Sequence, residues 1–237
     1  MSVPFRHAAY FAPAPKSQAW DLGSQWLGRC AHQGVSLEQP QIGNFNVELF
    51  EKLTRTPRLY GWHATLKAPF ELNSKARPEE LHEAFAQLAR STVSAFHLPL
   101  KLVEMGDFLA LVPSQSSPEL QKFAEDCVQQ LHTLALPLSE AELQRRTGTG
   151  LTARQTALLQ EWSYPFVMDQ FQFHMTLSGS LKNVDPHLRL DLKTAAQAWF
   201  APLLQHGIAI DAVTWFSQDN PKGNFRWVDR FELGTSH

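Results

Sequence analysis

Two tetrapeptides in this chain share one pattern, His63-Ala64-Thr65-Leu66 and His174-Met175-Thr176-Leu177. With 10 histidines present, chance supplies about 0.07 His-x-Thr-Leu matches, so a pair is an event of order 0.3%. An extended strand turns alternate side chains to opposite faces. His63, Thr65 and Lys67 then share one face, opposite Trp62, Ala64 and Leu66. The second segment divides the same way, with Gln172, His174, Thr176 and Ser178 opposite Phe171, Phe173, Met175 and Leu177. The apolar faces belong to a core, and the polar faces are left to act.

Hydrolysis of a phosphodiester needs a base that takes a proton from water and an acid that protonates the leaving oxygen on the opposite side. Imidazole serves either role near neutral pH. His63 and His174 are the candidate acid-base pair, and the Thr65 and Thr176 hydroxyls are candidates to hold the non-bridging phosphate oxygens. This chemistry requires no metal and no cofactor, and neither motif has the His-x-x-x-His spacing or the nearby carboxylates of a common metal site. The remaining histidines are scattered singly and read as packing or surface residues.

The elements that must position the motifs occur in two copies. In the first, a strand through Trp62 to Ala68 precedes a helix from about Pro78, with Leu81, Ala84, Phe85 and Leu88 on one face. Strands over Val93 to Glu104 and Phe108 to Val112 follow, joined at Gly106-Asp107. In the second, a strand through Phe171 to Ser178 precedes a helix opening at Pro186, then strands over Ile208 to Phe216 and Phe225 to Leu233. Ahead of both copies, Arg6 to Ala12 reads as a strand, a helix capped by Ser17 runs through Cys30 to Gly34, and residues 36–59 read as a long connection. Ser117-Pro118 starts a helix between the copies. An insertion over residues 139–170 carries two capping patterns, at Ser139 and Thr152, and is a candidate cover for one end of a groove. The fold expected is α+β: one bilobal domain over residues 1–237, in which two antiparallel sheets with outer helices enclose a central groove. The repeats span about 60–112 and 171–233, with the helical linker and insertion over about 117–170.

Composition narrows the partners. The formal net charge is −2 and no basic cluster exceeds Arg145-Arg146, so long nucleic acid is not expected. No apolar run is long enough to span a bilayer and the first residues lack a signal pattern, which makes cytoplasmic location the expectation. Cys30 and Cys127 read as buried free thiols. A small anionic substrate needs only local positive charge. Lys67 beside Thr65, Ser178 beyond Thr176, and Arg145 or Arg146 in the insertion are its candidate ligands, with Tyr10, Tyr60 and Tyr164 as candidate groove-lining aromatics.

At the paired motifs the sequence resembles the 2H phosphoesterase superfamily. It is similar, more narrowly, to a bacterial branch labelled for phosphonate metabolism, through Tyr10-Phe11-Ala12-Pro13-Ala14-Pro15, Tyr60-Gly61-Trp62-His63-Ala64-Thr65-Leu66-Lys67-Ala68-Pro69-Phe70, Phe108-Leu109-Ala110-Leu111-Val112-Pro113, Leu138-Ser139-Glu140-Ala141-Glu142-Leu143 and Phe171-Gln172-Phe173-His174-Met175-Thr176-Leu177. The resemblance implies catalytic roles for His63 and His174 and phosphate contacts from Thr65 and Thr176. It also implies a setting among genes that break carbon-phosphorus bonds, with a small cyclic phosphate of ribose or a nucleotide as substrate. Two alternatives stand beside it: an RNA-end cyclic phosphodiesterase or 2',5' ligase, and a non-catalytic nucleotide or phosphosugar binder. The residues leave open which histidine is acid and which is base.

Overall fold

The computed structural model describes residues 4–43, 45–92, 94–148 and 150–234. In chain order the elements are β1 (Arg6–Phe11), α1 (Gln18–Leu27), β2 (Arg29–Cys30), β3 (Val35–Ser36), α2 (Val47–Tyr60), β4 (Ala64–Phe70), α3 (Pro78–Ser91), β5 (Phe96–Leu98), β6 (Leu100–Met105) and β7 (Phe108–Pro113). They continue with α4 (Pro118–His132), α5 (Glu140–Thr147), α6 (Ala153–Trp162), a 3-10 turn (Met168–Gln170), β8 (Met175–Thr176), α7 (Pro186–Trp199), α8 (Ala201–His206), β9 (Ile208–Ile210), β10 (Ala212–Gln218) and β11 (Arg226–Glu232). The class is the α+β one expected, with antiparallel pairing throughout.

Two expectations for the first third of the chain are corrected. The helix capped by Ser17 stops at Leu27, because Gly28 takes φ +70° and its N–H closes on the preceding turn, so Cys30 lies in β2. Residues 36–59 hold a 14-residue helix, α2, where a connection was expected. Asn46 caps it, accepting the Leu49 N–H at 2.7 Å, and Phe50, Leu53, Thr54 and Pro57 form its buried stripe. Pro57 has no N–H to give the Leu53 carbonyl. That carbonyl accepts instead from the Gly179 N–H at 2.7 Å, which ties α2 to the chain just beyond β8.

Seven strands form one sheet in the order β11-β10-β1-β4-β8-β7-β6. The motif strand of the first copy, β4, pairs with β1, and β1 pairs in turn with the β10–β11 hairpin of the second copy. The motif strand of the second, β8, lies beside the β6–β7 hairpin of the first. The copies thus exchange hairpins, and the two half-sheets meet through one residue pair, Ala64 with Met175. Each expected long strand is broken at one residue. Pro99 separates β5 from β6 and Asp211 separates β9 from β10; the carbonyls of Pro99 and Asp211 accept from Ser114 N–H at 2.8 Å and Leu233 N–H at 2.9 Å. The freed β5 and β9 pair with each other. Val93, the expected start of the first of these strands, lies outside the described residues.

The core runs through both halves of the sheet and includes Trp26, Trp62, Phe85, Phe123, Met175, Phe200 and Phe216. Its helices begin where Pro fits the first turn, at Pro78, Pro118 and Pro186. The insertion packs Leu158 and Val167 against Val128 of α4 in a second small core, with Trp162, Tyr164 and Met168 packed on it. Both expected insertion helices are present as α5 and α6. Among the described residues no helix is long and apolar enough to cross a membrane.

His7 is fully buried in β1, and its Nδ1 accepts the Trp215 indole N–H at 3.1 Å. Burial lowers its pKa to about 4. The unfolded chain therefore takes up a proton between about pH 6.5 and 4 that the folded chain refuses, and stability falls as pH drops through that window. The contribution is on the order of 3 kcal/mol. His7→Phe should flatten the fall of Tm with pH there relative to the parent protein; parallel curves would contradict this account.

Candidate functional site

The single pair Ala64–Met175 fixes the site. In an antiparallel register it sets His63 across from Thr176 and Thr65 across from His174. Alternation turns all four to the face opposite the buried Ala64 and Met175. All four line one cavity of about 320 Å³.

Each imidazole is held in the same way. Gly61, just past α2, adopts φ +82° and ψ −178°, a conformation restricted to glycine, and its carbonyl accepts the His63 Nδ1–H at 2.9 Å. A Cβ on Gly61 would also press against the Ala31 Cβ at 2.6 Å. On the other strand the Gln172 carbonyl accepts the His174 Nδ1–H at 2.8 Å. A carbonyl only accepts, so each neutral ring carries its proton on Nδ1 and presents Nε2 as a lone pair. His63 Nε2 lies 3.3 Å from the Thr65 hydroxyl, which donates to it. The Tyr10 ring packs on His63 with centroids 3.9 Å apart, and Tyr60 stacks at 5.9 Å. Burial lowers the His63 pKa to about 4; the Gly61 hydrogen bond opposes this shift and the nearby His174 adds to it.

Besides the motif residues, the polar cavity is lined by Arg6, Tyr10, Tyr60, Ala68, Pro69, Arg146 and Tyr164. A second cavity of about 310 Å³ adjoins it, sharing Thr65, Ala68, Tyr164 and His174 and walled by Met105, Phe108, Phe166, Val167 and Phe171. Together they form the expected groove, polar at one end and apolar at the other. Tyr164, Phe166, Val167 and Arg146 come from the insertion, which covers part of it.

Three candidates lie elsewhere. Lys67 is excluded by a β-bulge: Tyr10 pairs with Thr65 but Ala9 pairs with Lys67, so Leu66 is the extra residue and the alternation loses phase there. Ala68 takes the groove face, while Lys67 is buried with its Nζ 5.1 Å from the Phe70 ring centre and its pKa lowered to about 8 by burial. Ser178 is buried behind the groove, because β8 ends at Thr176; its hydroxyl accepts the Leu109 N–H at 3.0 Å and donates to the Gly179 carbonyl. Arg145 points to solvent and pairs with Glu142, whereas Arg146, one residue and about 100° further round α5, reaches the cavity. Tyr10, Tyr60 and Tyr164 stand where expected. Arg6 was missed, although it shares the Tyr10 face of β1; its Nε and Nη2 donate to Gln218 Oε1 at 2.9 and 2.6 Å.

A family model described as "Protein of unknown function (DUF1045)" matches residues 65–226. The chain belongs to the DUF1045 family. The DUF1045 match takes in Thr65, His174 and Thr176 and begins two residues after His63. The chain is 36% identical over 225 residues to a protein named ribose 1,5-bisphosphate phosphokinase PhnN of Janthinobacterium sp. (strain Marseille), an alignment covering 93% of this chain and 49% of the relative. It is also 36% identical over 180 residues to the protein of the same name from Laribacter hongkongensis (strain HLHK9), covering 76% and 41%. This DUF1045 chain thus spans about half the length of the curated relatives it matches. Among solved structures it is similar to E. coli LigT complexed with 3'-AMP, with 12% identity, a TM-score of 0.46 and coverage of 98% of this chain and 100% of that one.

The hydrogen-bond pattern predicts that ¹⁵N NMR finds the neutral rings of both His63 and His174 as Nδ1–H tautomers, with His63 titrating near pH 4. An Nε2–H tautomer at either position would contradict the geometry described.

Proposed function

We propose that the chain is a metal-independent phosphoesterase of the 2H type that opens a small cyclic phosphodiester. One observation carries the reading: two imidazoles, each anchored through Nδ1 by a carbonyl two residues earlier, present Nε2 to one cavity from adjacent strands. In this mechanism His63 Nε2 takes a proton from water as the water oxygen attacks phosphorus. The ring P–O bond breaks, and His174, entering as the imidazolium with a proton on each ring nitrogen, gives its Nε2 proton to the departing oxygen, leaving a phosphate monoester and a free hydroxyl. The lowered His63 pKa supports its assignment as base, since it is unprotonated at neutral pH. The Thr65 and Thr176 hydroxyls donate to the non-bridging oxygens.

The relatives' name supports a ribose phosphate as the substrate. This chain carries no Gly-x-x-x-x-Gly-Lys-Ser/Thr loop to cradle a nucleotide triphosphate, so we assign the kinase activity in that name to the half of the relatives that the chain does not span. Opening the 2-oxygen bond of a ribose 5-phosphate 1,2-cyclic phosphate yields ribose 1,5-bisphosphate, the compound in the relatives' name. That links the reaction to phosphonate breakdown.

His63→Ala and His174→Ala should each lower kcat by about 10² to 10⁴, with EDTA leaving the parent activity unchanged. The acid limb of kcat/KM should fall well below pH 6.5, because the base loses its function only as pH drops through its lowered pKa. Inhibition by EDTA would sink the metal-free mechanism. Full activity in both variants would sink the site, and an acid limb at or above pH 6.5 would remove His63 as base.

A further inference from the structure

The polar cavity carries more positive charge than one phosphodiester requires. Among the described residues, its lining and that of the adjoining apolar cavity include two arginines and two histidines and no aspartate or glutamate. The cavity follows β4 from Thr65 past Ala68 to Pro69, and Arg6 stands at the far end, where β1 begins. Tyr10 pairs with Thr65, and Arg6 lies four residues away along the same strand face, about 13 Å of backbone. The Arg6 backbone is thus set off from the His-Thr pairs along the strand, and its side chain meets the same cavity.

Its surroundings fit a bound anion. Gln218, a neutral partner, fixes the Arg6 guanidinium, which also lies over the Phe225 ring at 5.5 Å; among the described residues Arg6 forms no ion pair with a carboxylate. Arg146, which lines the same cavity from the insertion, is held by Glu142 at 2.8 Å and by the Ser163 carbonyl at 3.1 Å. Glu142 is shared with Arg145, so that group of three keeps a net positive charge. Tyr10 is fully buried against the cavity and its hydroxyl has no hydrogen-bond partner among the described residues, a cost that a bound oxygen atom would relieve. Burial and the neighbouring Tyr60 keep that phenol protonated, so it is available as a donor.

We propose that Arg6, Arg146 and the Tyr10 hydroxyl form a second anion subsite that takes a terminal phosphate monoester of the substrate. This rests on the reading of His63 and His174 as the reacting pair. The preferred substrate is then a pentose carrying both a cyclic diester and a monoester, with the diester at the His-Thr pairs and the monoester between the arginines.

The test compares kcat/KM for ribose 1,2-cyclic phosphate with and without a 5-phosphate, in the parent protein and in Arg6→Gln, Arg146→Gln and Arg145→Gln. The parent should favour the phosphorylated compound. Arg6→Gln and Arg146→Gln should each cut that preference by about tenfold to a hundredfold, mainly through KM, while Arg145→Gln keeps it. A parent without preference, or arginine variants that retain it, would overturn the subsite and leave the hydrolytic reading standing. If neither compound is hydrolysed, calorimetry with ribose 5-phosphate decides separately. Binding that survives His63→Ala and is weakened in Arg6→Gln supports the subsite, and binding equal in Arg6→Gln and the parent overturns it.

Discussion

The two halves of the sheet touch through one backbone pair, Ala64 with Met175. So short a junction leaves the strands free to diverge on either side of it, and the groove is the space they leave. A longer pairing would close that space. The neighbours of the pair are the two histidines and the two threonines. A junction this small needs outside support, and it has several braces. The Trp26 indole N–H donates to the Leu177 carbonyl at 2.8 Å, Leu177 N–H to Leu109 at 2.8 Å, and Gly179 N–H to the Leu53 carbonyl that Pro57 leaves unsatisfied. The side chains on the apolar faces of the motif strands, Trp62, Leu66, Met175 and Leu177, are all buried.

The exchange of hairpins ties the repeats together. Each motif strand completes a half-sheet whose hairpin comes from the other copy, so neither copy carries its half-sheet by itself. The exchange also makes the site symmetric. His63 and His174 are reached by different routes, one from a helix end through Gly61 and the other from an irregular segment, yet both are anchored at Nδ1 by the carbonyl two residues before. Their environments then differ, His63 lying under Tyr10 and Tyr60 and His174 beside Phe108 at 5.8 Å. In the proposed mechanism this duplicated geometry with unequal burial divides the acid from the base.

The motif pair, the repeat order, the helices opening at Pro78, Pro118 and Pro186 and the two insertion helices were legible in the sequence, because strand alternation, helix periodicity and capping are local signals. What escaped was set by tertiary contacts. Lys67 has the parity of His63 and Thr65, but the bulge at Leu66 arises from pairing with β1, a strand more than fifty residues away in the chain. Ser178 follows the alternation only if β8 continues past Thr176, and it does not. The α2 stripe is present at the right spacing, disguised by Thr54 and Pro57 in place of apolar helix formers. Arg145 and Arg146 cannot be told apart without knowing how α5 is rotated. Arg6 becomes visible as a site residue only when β1 is known to border the motif strand.

The central claim is that the Ala64–Met175 junction aims both imidazole Nε2 atoms at one phosphorus position. A crystal structure with bound orthovanadate, whose five-coordinate form resembles phosphorus under attack, tests it directly. Vanadate should lie over the junction with both Nε2 atoms within hydrogen-bonding distance and the Thr65 and Thr176 hydroxyls on its equatorial oxygens. Vanadate bound to one histidine alone, or away from the junction, would contradict the account.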